Sequence, residues 1–457
     1  MAATDFSTLT LPEAMLHNLN ELGYRAMTPV QAQSLPHILQ NCDVIAKAAT
    51  GSGKTAAFGI GLLCKLDVKK FRVQTLVLCP TRELSDQVAK ELRRLARFAH
   101  NVKVLTLCGG TPFGPQLGSL RHGAHIVVGT PGRVLAHLEK GSLTLDALHT
   151  LVLDEADRML DMGFIEEISK VIAFAPAERQ TLLFSATFPD TIQELSATIQ
   201  NDAVMVETLG AVSENRIVEY FYDVEREAKM TALVAILQHY APERTIVFCN
   251  TKLESSDVAA ALRERGVDAL AIHGDLEQYE RTDVLVQFAN HSCSVLVATD
   301  VAARGLDIKE LDAVVNYDMP RDSAVYTHRI GRTGRAGASG LAFTLFGSSE
   351  ALEADAYRDG VRRFEEADTL SAVEHFTLKP PNMTLVIEGG KKEKVRPGDI
   401  LGALTGEAGI EGKYVGKIDI YERQSYVAIS RNQAQKAYQQ LKNGRIKGRS
   451  FPVWVLE

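Results

Sequence analysis

Leu151-Val152-Leu153-Asp154-Glu155-Ala156-Asp157 is the stretch that decides the fold of this 457-residue chain, because three apolar residues run straight into three carboxylates. An uninterrupted apolar run marks a strand buried on both faces, the situation in parallel sheets covered by helices. In open α/β sheets the ligand lies beyond the carboxyl ends of the strands, which is where Asp154, Glu155 and Asp157 fall. Taken alone, the heptapeptide fits a strand ending in a solvated acidic turn equally well. Its surroundings separate the two readings.

Upstream, Asp43-Val44-Ile45-Ala46-Lys47 reads as a short strand feeding Ala48-Ala49-Thr50-Gly51-Ser52-Gly53-Lys54-Thr55 and a helix from Ala56. Small, flexible residues let backbone N–H groups curl around phosphate oxygens, and the helix amino terminus adds its positive end. Lys54 supplies a mobile cation for the outer phosphates and the Thr55 hydroxyl a ligand for Mg²⁺. The first glycine of the GxxxxGK[ST] pattern is Ala48 here, which keeps the position small. Asp154 then supplies the strand-end carboxylate that positions hydrated Mg²⁺, and Glu155 can orient and deprotonate the attacking water.

Further strands read at Thr75–Cys79, Val102–Leu107, His125–Val128 and Gln180–Phe184, each ending in small, polar or basic residues: Thr81-Arg82, Gly109-Gly110, Thr130-Pro131-Gly132-Arg133 and Ser185-Ala186-Thr187. Near the amino terminus, Leu11–Leu22 has the pattern of an amphipathic helix, and a second helix is predicted to start at Pro29, a favoured first-turn position. A second strand–helix alternation begins at Ile217, with strands at Thr245–Cys249, Ala269–Ile272, Ser294–Ala298 and Ala313–Tyr317. It contains no second GKT. This domain repeats the architecture of the first without its own phosphate cradle, as expected if it completes its neighbour's site. Arg332 and Arg335, three apart in a Gly-rich setting, can reach a phosphate together, or form a solvated basic face.

Composition bounds the remainder. No apolar run reaches the roughly 18 residues that span a bilayer, so a cytoplasmic setting is expected. Six cysteines are scattered without a CxxC pair, and neither disulfides nor zinc are predicted. The formal charge is −7, yet residues 380–457 hold thirteen basic residues against eight acids, a net +5 that leaves −12 elsewhere. A basic tail on an acidic body implies an anionic partner for the tail.

Taken together, these motifs resemble, in order, those of the DEAD-box RNA helicase family over roughly residues 6–350. Tyr24–Gln31 with Phe6 upstream resembles its Q motif. Residues 48–55, 80–84, 109–110, 130–133, 154–157 and 185–187 resemble the motifs of its first domain. Val247–Asn250, Gln278–Arg281, Ala298–Asp307 and His328–Arg335 resemble those of its second. The resemblance implies two RecA-like domains that close over ATP and single-stranded RNA, with Mg²⁺ as the metal. It implies that Gln31 and Tyr24 select and stack adenine with Phe6 nearby, that Ala49–Thr55 hold phosphates, and that Asp307 touches the ribose. Arg332 and Arg335 resemble arginine fingers. Ser185 and Thr187 would couple nucleotide state to RNA, and Asp157 would link to His328. Arg82, Gly110, Thr130, Arg133, Gly274, Arg281 and Thr299 resemble RNA-backbone contacts, which position a strand without reading it.

After Pro380-Pro381 the pattern becomes βαββαβ: Thr384–Glu388, a helix Pro397–Leu404, Gly416–Tyr421, Ser425–Ser430, a helix Asn432–Leu441 and Phe451–Leu456. This resembles an RRM, whose four-stranded sheet offers an exposed face for nucleotides. The segment Tyr426-Val427-Ala428-Ile429 lacks the usual run of aromatics, so loops and basic edges at Lys391, Lys392, Arg396, Lys413, Arg445, Lys447 and Arg449 are the expected contacts. A small docking domain with a solvated basic surface is the alternative. The tail resembles that of bacterial DbpA-type helicases, which implies targeting to a hairpin of 23S ribosomal RNA during assembly of the 50S subunit. The expected organisation is a RecA-like domain at 1–207, a linker at 208–215, a second RecA-like domain at 216–375 and an α+β RRM-like domain at 380–457. The expected activity is RNA-stimulated ATP hydrolysis with local unwinding, by a monomer acting on pre-50S particles and not on membranes. An RNA clamp using ATP only to lock, and a DNA helicase, remain alternatives.

Overall fold

The structure is a computed structural model that describes residues 4–48, 51–208, 217–303, 311–334, 339–367, 370, 376–406 and 409–456. The chain divides into two compact units that part between Glu214 and Asn215. Ala49, Thr50, Asp307, Arg335 and most of the expected linker lie outside the described residues.

The first unit carries strands β1 (Val44–Lys47), β2 (Thr75–Leu78), β3 (Val104–Leu107), β4 (Ile126–Gly129), β5 (Thr150–Asp154), β6 (Gln180–Ser185) and β7 (Val204–Glu207). They form one seven-stranded sheet in the order β3-β4-β2-β5-β6-β1-β7, with every pair parallel. β5 sits at its centre. Leu151 and Leu153 pack into one layer with Leu76, Leu78 and Leu183. Val152, between them, packs into the opposite layer with Val77, Leu182 and Phe184. The uninterrupted apolar run exists because helices cover both faces, and each fully buried aliphatic side chain contributes roughly 1.5–3 kcal/mol. The helices Pro29–Leu39 and Lys54–Cys64 start within two residues of the positions predicted from proline and the phosphate loop.

The second unit repeats the plan with β8 (Ile217–Asp223), β9 (Thr245–Cys249), β10 (Ala269–Ile272), β11 (Val295–Thr299), β12 (Ala313–Asn316), β13 (Gly340–Phe346) and β14 (Arg363–Glu366). Their order, β10-β11-β9-β12-β13-β8-β14, is that of the first sheet strand for strand. The tail follows in the same unit as β15 (Asn382–Ile387), β16 (Val415–Ile420), β17 (Ser425–Ser430) and β18 (Val453–Val455), in the order β16-β17-β15-β18. Its pairs are antiparallel. The helices Pro397–Thr405 and Ala434–Asn443 bury Ile400, Leu404, Ala437 and Leu441 against Leu385, Ile387, Val427 and Ile429 on one face of that sheet.

The other face corrects the expectation of an exposed nucleotide platform. Val386 and Tyr426, which point away from the tail's own helices, pack on Val286 of the helix Gln278–Ala289 in the second RecA-like domain. The Tyr426 hydroxyl donates to Asp283 Oδ1 at 2.7 Å. Asn290 Nδ2 donates to Thr384 Oγ1 at 3.1 Å, Asn382 Nδ2 donates to the Asn290 carbonyl at 2.9 Å, and Arg431 pairs with Asp268 at 3.1 Å. A tyrosine and a valine at the centre of a sheet cost free energy in water, and here they are spent on docking.

Candidate nucleotide and RNA sites

Because both large sheets are parallel, their strand-end residues gather along single edges, and strand order sorts them. In the first unit the expected phosphate, metal and coupling residues follow β1, β5 and β6, while Arg82, Gly110, Thr130 and Arg133 follow β2, β3 and β4 in the other half of the sheet. The residues expected to meet nucleotide and those expected to meet RNA thus fall on adjacent halves of one edge, set by topology.

The phosphate loop turns on Gly51 (φ 83°) and Gly53 (φ 94°), left-handed conformations that side chains resist. A Cβ at Gly53 would lie 2.6 Å from Gln31 Nε2. That nitrogen donates to the Gly53 carbonyl at 3.1 Å, while Gln31 Oε1 accepts from Thr28 N at 3.0 Å. Gln31 therefore ties the Q-motif helix to the phosphate loop. Lys54 is buried and donates to the Ala48 carbonyl at 2.9 Å. Thr55 follows it on the helix, and Ser52 Oγ is buried without a hydrogen-bond partner among the described residues. Tyr24 donates to Glu91 and lies edge-on to Phe6, its centroid 6.4 Å away, with the Arg94 guanidinium 5.6 Å over its ring. Phe6 itself is a core residue.

The three acids divide their tasks in the geometry. Asp154 ends β5, and burial pushes its carboxyl up to about 7 against the pull of Lys54, with Glu155 and Asp157 adding repulsion. Its Oδ1 is buried without a partner among the described residues. Glu155 adopts a left-handed backbone (φ 54°, ψ 52°) at the strand–helix junction, a conformation that costs on the order of 1–3 kcal/mol and clusters at functional sites. Asp157 bolts the end of β6: its Oδ2 accepts from Thr187 N and Thr187 Oγ1, each at 2.9 Å, and from Ala186 N at 3.2 Å. Ser185 Oγ accepts from Asp157 N at 3.3 Å. Of the residues expected to couple, Asp157, Ser185 and Thr187 are in contact within this unit, while His328 belongs to the other.

Arg133 was legible, but the network that holds it was not. Its Nη1 donates to the Thr111 carbonyl at 2.9 Å and to Gln116 Oε1 at 3.0 Å. His137 Nε2 lies 3.0 Å from the same oxygen, and the Phe113 ring stacks on His137 at 3.9 Å. Burial, with Arg133 and Lys140 nearby, lowers His137 to about 4 and leaves it neutral. Gln116 and His137 belong to no motif, and only the fold brings them to Arg133. Arg82 opens the helix Arg82–Leu95, which Thr81 Oγ1 caps by accepting from Leu84 N at 3.3 Å. Thr130 begins the helix Pro131–Glu139, and Gly110 turns with φ 71°.

The second unit places Gly274 just beyond β10, Thr299 at the end of β11 and Arg281 on the helix Gln278–Ala289, where its Nη2 donates to the Ala302 carbonyl at 2.8 Å. His328 and Arg332 lie on and just after the helix Ser323–Ile330, with Arg332 buried. Next to them Arg329 is fully enclosed, bonded by two nitrogens to Asp300 at 2.8 Å and by Nη2 to Asn250 at 3.0 Å. The sheet position of the phosphate loop is taken in this unit by the turn after β8 and the helix Lys229–Tyr240. There the buried Lys229 ammonium meets Glu350 at 3.2 Å and Asp318 at 3.9 Å. The chain's own carboxylates occupy the ground that phosphates are expected to hold in the first domain.

In the tail, two loops converge. Lys447 Nζ donates to the Lys394 carbonyl at 3.1 Å and approaches Asp399 at 4.0 Å. Lys391, Lys392, Arg396, Arg445, Lys447 and Arg449 are all exposed on these two segments. Lys413 sits elsewhere, paired with Glu411 at 2.7 Å.

Duplicated parallel sheets, one with a phosphate loop and a strand-end carboxylate and the other without, define a tandem RecA-like nucleoside triphosphatase. Comparison with known proteins specifies the kind. Residues 28–195 match the DEAD/DEAH box helicase family, 228–337 the helicase conserved C-terminal domain and 384–455 the DbpA RNA binding domain. The chain is 53% identical to the ATP-dependent RNA helicase DbpA of Escherichia coli over 99% of its own length and all of the relative's. It is 43% identical to the DEAD-box ATP-dependent RNA helicase CshA of Geobacillus kaustophilus over 85% of the chain and 81% of the relative. Among solved structures it resembles Saccharomyces cerevisiae Dbp5 bound to RNA and ADP BeF3, with TM-score 0.72, 30% identity and coverage of 80% of this chain and 96% of that one. The chain belongs to the DEAD-box ATP-dependent RNA helicases, an ATP-hydrolysing family, and within them to the DbpA type.

Proposed function

We propose that this helicase remodels 23S ribosomal RNA locally during assembly of the 50S subunit, with its tail gripping an rRNA hairpin. The observation that carries the reading is the exposed basic edge formed by residues 391–396 and 445–449, on the one domain whose charge is opposite to that of the body. The covered sheet face supports it from the other side, because edges and loops are what the docked tail leaves to RNA. The helix that receives the tail also carries Arg281 at its amino-terminal end, so tail and core contacts in the second unit are held at a fixed offset.

ATP is the nucleotide, and a magnesium ion suits the first domain. Asp154 Oδ1, without a partner among the described residues and on a carboxyl burdened by burial, and the Thr55 hydroxyl fit a hard divalent cation that takes one or two protein oxygens and phosphates as its remaining ligands. Bound magnesium would neutralise the outer phosphates. Gly51–Thr55 cradle the phosphates, Gln31 and Tyr24 hold the base, Lys54 balances charge, and Glu155 orients and deprotonates the attacking water. Arg332 and Arg335 act as fingers from the second domain, and Asp307 meets the ribose. Asp157 with Ser185, Thr187 and His328 relays nucleotide state to Arg82, Gly110, Thr130, Arg133, Gly274, Arg281 and Thr299 along the RNA backbone. The setting is the cytoplasm and the working form a monomer.

The test is ATPase stimulation by a panel of ribosomal RNA fragments and unrelated RNAs at fixed salt, since phosphate contacts make affinity salt-dependent, for the full chain and for a chain ending before residue 380. A single preferred rRNA fragment for the full chain, with basal ATPase but no preference in the truncated one, is the expected result. Equal stimulation by all RNAs would overturn the targeting. Glu155→Gln is expected to bind ATP and hydrolyse almost none, and near-normal hydrolysis would remove Glu155 from its role.

A further inference from the structure

Each of the first two acids has its own buried cation. Lys54 serves Asp154 through the field, and Arg158 serves Glu155 by contact: Nη1 donates to Glu155 Oε2 at 2.7 Å, with side-chain exposures of 4% and 7%. Arg158 also donates its backbone N–H to Asp157 Oδ1 at 3.0 Å, so it is wired into two of the three acids. The contact follows from local geometry. Glu155 caps the short helix Ala156–Asp161, and a residue three further on returns to the same side of a helix.

A glutamate side chain has three rotors, and fixing one costs up to roughly 1.5–2 kcal/mol. A base must nevertheless hold one oxygen at the water during attack. We propose that Arg158 is a positioning residue for ATP hydrolysis, gripping Glu155 Oε2 so that Oε1 is left to the attacking water. The proposal rests on Glu155 acting on that water. A purely structural ion pair would also be buried and also destabilise the fold when broken, so fold stability alone does not discriminate. The discriminating quantity is kcat at saturating RNA against KM for ATP.

Arg158→Gln is expected to lower kcat by about 10- to 100-fold, the scale of a misplaced catalytic group, with KM for ATP within about threefold of the parent. Arg158→Lys keeps the charge but loses the fixed fork; its kcat is expected to fall between those of Arg158→Gln and the parent. In the Glu155→Gln background, Arg158→Gln is expected to cause no further loss, because the group it positions has gone. Parental kcat in either single variant, a KM that rises in step with the fall in kcat, or an equal further loss on top of Glu155→Gln would each overturn the proposal. Should Arg158→Gln fail to fold, Arg158→Lys and the double variant, which loses both charges together, carry the test by the same criteria. Active Glu155→Gln removes the base reading itself, whereas inactive Glu155→Gln beside fully active Arg158→Gln removes only the positioning role.

Discussion

Replacing Tyr426 by alanine should release the tail from the second RecA-like domain without unfolding it. The ring is 3% exposed and lies on the sheet face opposite the tail's own core, against Val286, and its hydroxyl holds Asp283. Truncating a buried aromatic costs about 3–5 kcal/mol, and a hydrogen bond to a carboxylate accounts for about 1.5–3 kcal/mol of such a loss. Taking about 3 kcal/mol as the docking share, the undocked population rises roughly 150-fold. Tyr426→Phe keeps the ring and should show the smaller hydroxyl part alone. Two readouts are at hand. The only tryptophan, Trp454, is half-exposed and paired with Val386 on the docked face, so its emission should shift to the red on release. Amide exchange of the helix Gln278–Ala289 should accelerate while that of β15 and β17 stays protected. Parental exchange in that helix would refute the reasoning, and lost protection in β15 and β17 would mean that Tyr426 holds the tail's fold rather than its docking.

Three further outcomes are expected. Gly53→Ala places a side chain at φ 94° and 2.6 Å from Gln31 Nε2, a strain of about 1–2 kcal/mol plus about 1 kcal/mol for the displaced hydrogen bond. ATP affinity measured by titration calorimetry should drop roughly 30- to 150-fold, with little change in RNA affinity. Gln116→Ala removes an anchor of Arg133, and the RNA concentration giving half-maximal ATPase should rise about 5- to 10-fold with unchanged basal hydrolysis, the effect of roughly one hydrogen bond. Glu254 is pushed up to about 7, chiefly by burial and then by its bond to Asp318. The folded state therefore keeps a proton that the unfolded chain has released, and stability is lost as pH rises from the ordinary glutamate range through about 7. Glu254→Gln should raise the melting temperature at pH 8 and leave it unchanged near pH 4.

The tail's helices and β17 were readable to within two residues because a βαββαβ alternation with prolines and glycines at its joints is local information. The first domain's β7 and the second domain's β13 and β14 were not singled out: Val204–Glu207 is short and partly exposed, and Arg363–Glu366 has no apolar alternation to betray it. They are strands because β1, β12 and β8 offer them edges. The candidate site divides in the same way. Gly51, Gly53, Lys54, Asp154, Glu155 and Asp157 lie in short runs whose residue types state their chemistry. Arg158 could have been found by its spacing from Glu155.

The sequence by itself determined the fold class, the phosphate loop, the acid trio and the charge of the tail, since turn chemistry, period and composition act over a few residues. Only the tertiary structure decided that Gln31 braces Gly53, that Gln116 and His137 hold Arg133, that carboxylates quench Lys229, and that the tail turns its sheet inward. Each of these joins residues far apart in the chain through a side chain a few ångströms long, and no local pattern encodes which distant partner fills that reach. The covered sheet face shows the difference most plainly. Val386 and Tyr426 look alike in the sequence whether they meet a base or Val286.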